Sequence, residues 1–182
     1  VPDIKVALDV DNAQVGLLLL GMGIASILGI STSPAVLART GARRGMLGLM
    51  VLLSIGLALV GIGTSVMGSL PVVLVGLALF GFGNGCLDVM MNVEATAIEQ
   101  HSGKTILPLF HAFFSFGTAI GAGAGVLSTR LELSVGLHAG VIAALIFVAA
   151  FICIANVPNR EAVLDPAESG EKPHWRERLT VA

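Results

Sequence analysis

Phe80-Gly-Phe-Gly-Asn-Gly-Cys-Leu-Asp-Val-Met-Met-Asn-Val-Glu94 is the stretch on which the reading of the whole chain turns. It places Asp88 in a run that is otherwise uncharged back to Gly45, with Asn84 and Asn92 one helical turn to either side. A carboxylate at the centre of a membrane helix costs ~2.5–3.5 kcal/mol on the insertion scale, so such acids face a bundle interior or a water-filled path. Asp88 is thus a candidate working residue. The structural alternative is an acid held by Asn84 or by a neighbouring helix.

Composition decides the solvent. The chain is 55% hydrophobic and 12% charged, against roughly 25% charge in an ordinary soluble domain, and its mean hydropathy is +0.92. An all-α, polytopic transmembrane helix bundle follows. The net charge of -2 and the lack of any basic concentration beyond short loops give no footing for a nucleic-acid partner. Cys86 and Cys153 lie in apolar runs without metal-ligand spacing, so they read as small hydrophobes, and no metal or cofactor is expected.

The charges divide the chain into spans. A bilayer core needs ~20 apolar residues per helix. Ala13 to Ala38 carries no charge over 26 residues and makes one span. Arg39, Arg43 and Arg44 crowd the loop around Gly41. The 43 uncharged residues from Gly45 to Leu87 are about twice one crossing and must turn once. Gly68-Ser69-Leu70-Pro71 is the place, since Pro suits the first turn of a new helix. The expected spans are about 13–38, 46–66, 70–98, 105–129 and 135–157, preceded by a loop over 1–12 and followed by a solvated segment over 160–182.

Loops alternate sides across five spans. One side gathers Arg39, Arg43, Arg44, Lys104, Arg160, Lys172, Arg176 and Arg178, while the other holds only Lys5 and Arg130. The positive-inside rule makes the first side cytoplasmic, which puts Val1 outside and Ala182 inside. An odd span count with an external start suggests a fragment whose first helix is missing. Small residues four apart, Gly21, Ala25 and Gly29 in the first span and Gly117, Gly121 and Gly125 in the fourth, fit close helix packing. His111 and Ser115 share one face of the fourth span amid four phenylalanines, where a site role and a structural histidine are both open. Glu94, about 240° around the helix from Asp88, is expected to snorkel or to pair with the Arg39 to Arg44 loop.

The basic turn Pro-Ala-Val-Leu-Ala-Arg-Thr-Gly-Ala-Arg-Arg, residues 34–44, resembles the loop between helices 2 and 3 of the major facilitator superfamily. Arg39, Gly41, Arg43 and Arg44 fall on that pattern, whereas Pro34 replaces its first Gly and Ala38 its Asp. Gly85-Cys86-Leu87-Asp88, Asn92, Phe113 and Ser115-Phe116-Gly117 resemble helices 4 and 5 of the fucose permease-like sugar–proton symporters. The resemblance implies the partial N-terminal half of a 12-helix fold in a bacterial inner membrane, holding helices 2 to 6 and lacking helix 1 and the C-terminal six-helix half. It implies proton coupling at Asp88 and solute contacts at Asn84, Asn92, His111 and Ser115. His111 and Phe114 stand where the fucose permease has amide side chains, so its sugar-contact residues are altered here and the resemblance does not imply fucose as the solute.

Three classes of function stand. One is proton symport of a small polar, sugar-like solute. Another is efflux on the same fold, against which the fourth span lacks the Gly-Pro pair of resembling antiporters. The third is a non-transporting membrane scaffold, which would have no use for Asp88. An enzyme is not expected, because no Gly-x-Ser-x-Gly, His-Glu-x-x-His or paired intramembrane aspartates occur. The implied partners are the lipid bilayer, the solute and protons.

Overall fold

The structure, a computed structural model, describes residues 2–154. The segment 160–182 and the end of the fifth expected span lie outside the described residues. Within them the elements are α1 (Pro2–Leu8), α2 (Asn12–Ser65), α3 (Leu70–Ser102), α4 (Leu107–Arg130) and α5 (Val135–Ile154), with no strand among the described residues. Four of these, α2 to α5, are long and apolar enough to cross a membrane.

α2 begins on a capping box. The Asp11 carboxylate accepts from the Gln14 amide at 2.8 Å, and the Gln14 side chain accepts from the Asp11 amide at 3.0 Å. Its 54 residues would make a straight rod of about 80 Å, far beyond one ~30 Å hydrocarbon core. It is two arms. Helical geometry lapses only at Gly41, with φ 70° and ψ 170°, a conformation essentially reserved for glycine. The basic loop expected between two spans is therefore a one-residue break. Ala in place of Gly41 should destabilise the fold by ~1–3 kcal/mol, read as a lowered unfolding midpoint in detergent. Gly48→Ala, at a position with open space around it, should leave that midpoint unlowered; equal midpoints for both variants would show that the break does not depend on glycine.

Contacts fix the direction of each arm. Along the first arm, 12–40, Met22 meets Gly81, Ser26 meets Gly85 and Gly29 meets Phe82, so this arm runs parallel to α3. Along the second, 42–65, Gly45 meets Met90, Leu53 meets Gly83, Gly56 meets Gly76 and Gly63 meets Val73, which is the antiparallel sense. α3 thus lies against both arms of a helical hairpin. The core is where they meet. One cluster joins Ala42, Met46, Leu49 and Leu53 to Cys86, Leu87 and Met90, and a second joins Leu18, Val60 and Val73.

Pro34 lies inside the first arm, where it removes the N–H that would bond to the Ile30 carbonyl. The Ser33 hydroxyl donates to that carbonyl at 2.7 Å and satisfies it. Residues 1–12 differ from the expected loop, because Pro2–Leu8 is helical. Leu8 packs against the Leu18–Val60–Val73 cluster, so the turn of helix is held by apolar contact with the end of the bundle.

α5 packs on the second arm of α2. Gly61 lies against Gly136 and Ala139, and the Ser65 hydroxyl accepts from the Gly136 amide at 2.8 Å. Ala139, Ala143 and Ala150 are its buried residues among those described. α4 is different, for the most apolar stretch of it contains no buried residue. A Cβ added at Gly117, Gly121 or Gly125 would meet nothing within 4 Å, so the close packing expected of this glycine row is not made among the described residues.

Candidate functional site

The sector of α3 left uncovered by the two arms of α2 is set by its own sequence. Gly81, Gly85 and Cys86 turn toward α2 and are buried, whereas Asn84 and Asp88, one turn apart, are exposed in the narrow sector beside the first-arm seam of Gly81 and Gly85. The Asp88 carboxylate has neither a hydrogen bond nor an ion pair among the described residues. The half-buried Asn92 turns its amide back on its own helix, where Nδ2 donates to the Asp88 backbone carbonyl at 2.8 Å rather than to the carboxylate. Asn84 and Asp88 therefore form an open polar pair with one amide and one carboxyl, able to offer both donors and acceptors to a ligand.

His111 and Ser115 are exposed on α4. No hydrogen bond joins either side chain to Asn84, Asp88 or Asn92 among the described residues. The candidates thus form two sets, a pair on the open face of α3 and a pair on α4, which the described residues do not bring into direct contact.

At the opposite end of α3 from its Leu70 start, Arg39 and Arg44 are exposed and Arg43 is half-buried. None of them pairs with an acid among the described residues. Glu94 neither snorkels nor pairs as expected: its Oε1 is buried without a hydrogen-bond partner. Glu94 lies one turn beyond Met90, which packs against Gly45, and so extends the α2-facing side of α3 rather than the Asp88 face.

Two side chains have structural roles that spacing did not reveal. Ile106 precedes α4 and has no acceptor with which to cap it, so the first amides of that helix need another partner. Glu99 supplies it, with Oε2 accepting from the Ile106 and Leu107 amides at 3.2 and 3.0 Å. A negative group at a helix N-terminus is favoured by the helix dipole as well as by these bonds. Ser65 does the same for α5 from the end of α2. The only sequence signal for Glu99 was negative, an apolar residue at the cap position.

No cluster of potential metal ligands occurs among the described residues. A sequence profile of the Major Facilitator Superfamily matches residues 1–181. The chain is 30% identical over 86% of its length to an uncharacterised MFS-type transporter of Yersinia pestis, and 28% identical over 76% of its length to an uncharacterised transporter of Sinorhizobium fredii. It covers 39% and 36% of those two proteins. No solved structure matches.

Proposed function

The chain belongs to the major facilitator superfamily, and on that premise we propose that the protein is a secondary active transporter of a small polar, sugar-like solute, driven by protons taken up and released at Asp88. The observation that carries this reading is the open polar pair on α3. Asp88 and Asn84 are both exposed, one turn apart, in a helix long and apolar enough to span a bilayer. A purely structural acid would be expected to have a partner within the packed part of the bundle, and Asp88 has none among the described residues.

In this reading the open α3 face is one wall of a solute path. Asn92 is turned back on the Asp88 carbonyl, and His111 and Ser115 contribute from α4 once the remaining walls are present. The complete protein adds a helix before this segment and a second six-helix half after it; the coverage of its relatives supports a longer whole. The basic turn with Arg39, Gly41, Arg43 and Arg44 lies on the cytoplasmic side of a bacterial inner membrane, as the distribution of Lys and Arg among the loops argues. The fucose permease-like branch is favoured by Gly85-Cys86-Leu87-Asp88 followed by Asn92.

The test is uptake into vesicles bearing the complete protein. An imposed inward proton gradient should drive accumulation of a labelled sugar from a panel of neutral monosaccharides, and a protonophore should collapse it. Accumulation that ignores the protonophore would overturn proton coupling.

A further inference from the structure

A second site stands apart from the α3 face. A cavity of about 270 Å³ lies among the second arm of α2, the end of α4 and the start of α5. Its apolar wall includes Leu57, Val60, Leu133 and Ile142, and its polar side is formed by Ser128, Thr129 and His138. Ser128 is only 8% exposed, and its hydroxyl has no hydrogen-bond partner among the described residues. The His138 imidazole is likewise unpaired among them. Thr129 is already engaged, its hydroxyl donating to the Gly125 carbonyl at 3.1 Å.

The Ser128 hydroxyl and the His138 imidazole on the cavity wall are not engaged by other described residues and are available to a ligand atom. Serine offers one donor and two acceptor lone pairs, while imidazole offers a donor and, in its neutral form, an acceptor. A ligand hydroxyl can use both groups at once. No Lys, Arg, Asp or Glu lines the cavity, so an ionic head would enter without a counter-charge and a neutral one is preferred. The volume falls just below the ~300–1,000 Å³ of drug-sized pockets, and the apolar wall asks for hydrocarbon.

We propose that the cavity between α2, α4 and α5 binds a small neutral amphiphile, an aliphatic chain ending in a hydroxyl that hydrogen-bonds to Ser128 and His138. None of the candidate solute residues Asn84, Asp88, Asn92, His111 or Ser115 lines this cavity, which uses the opposite end of α4 from His111. Its occupant enters along the hydrocarbon region and leaves its hydroxyl at the end of the bundle where α5 begins.

The test uses the complete protein in lipid nanodiscs, photolabelled with a diazirine-bearing octanol and read by peptide mass spectrometry. Saturable adducts are expected within residues 125–142, displaced by n-octanol and about tenfold less well by n-octane at equal membrane concentration. Ser128→Ala should weaken saturable labelling by about tenfold. Gly125 lines the cavity and has open space where a side chain would begin. Gly125→Leu should therefore fill the site and abolish saturable labelling without disturbing the fold. Gly117→Leu, on the same helix and outside the cavity, should keep it. Adducts spread over all helices without saturation, equal displacement by octane and octanol, or full labelling in Gly125→Leu would each overturn the proposal.

Discussion

Asp88→Asn in the complete transporter should abolish proton-driven accumulation and leave part of the downhill exchange. The amide has nearly the shape of the carboxyl and keeps hydrogen-bonding capacity, so a solute can still dock against Asn84 and its neighbours. What the amide loses is the proton. Coupling requires that solute binding and protonation share free energy at one site, and a side chain that cannot exchange a proton has none to share. Labelled solute should then equilibrate, with no higher concentration inside than outside, whether or not a proton gradient is imposed. Glu94→Gln is the control on the same helix. Glu94 lies on the α2-facing side with one oxygen buried and unpaired, so neutralising it should preserve accumulation. If Asp88→Asn vesicles concentrate solute as well as the parent, Asp88 is a structural residue.

Gly85→Val should prevent a stable bundle. A Cβ on Gly85 would run into the carbonyl oxygen of Ser26 and come within 2.8 Å of its hydroxyl, and one on Gly81 would strike the Met22 carbonyl. Across the same seam, a Cβ on Gly29 would strike the Phe82 carbonyl. The obstacles are backbone atoms of the facing helix, which cannot step aside as a flexible side chain can. Ordinary overpacking costs ~1–3 kcal/mol, and here relief demands that two helices separate, so the loss should exceed that range. Against a total stability of ~5–15 kcal/mol this is enough to unfold a marginal bundle. The measurement is the monodisperse fraction by size exclusion after heating. Gly23→Ala is the contrast, for nothing lies within 4 Å of its added Cβ and alanine favours the helix by ~0.8–1.0 kcal/mol. A Gly85→Val protein as heat-resistant as its parent would show that the first arm and α3 do not approach so closely.

The helical bundle was legible because membrane-spanning segments announce themselves by length and apolarity, and a charge-free run of 43 residues has only one plausible place to turn. That turn, at Gly68 to Pro71, is where α2 ends and α3 begins. The sharp corner at Gly41 was harder to foresee. Three arginines look like a loop, yet one glycine in a conformation other residues avoid lets two helices meet with no connecting segment. Residues 1–12 misled for a related reason: their polar composition masked the contact of Leu8 with the bundle. Periodicity placed Asn84 and Asp88 on one face because i and i+4 always share one. It could not orient Asn92, whose amide chose a backbone carbonyl one turn back. Nor could local spacing find Glu99 or Ser65, because each caps a helix that begins beyond the reach of any local capping pattern.

The bond from Ser65 to Gly136 also sets a clock. Its partners are 71 residues apart, so at ~5–20 residues per second of synthesis the second arm of α2 waits about 4–14 s before the helix that covers it is made. During that interval the strip through Gly61 and Ser65 faces whatever surrounds the growing chain. A glycine presents almost nothing there, and the serine hydroxyl can bond back to its own helix in the meantime. The strip that later admits α5 so closely is thus one that can be left bare, and the same small side chains serve the chain before its partner exists and after.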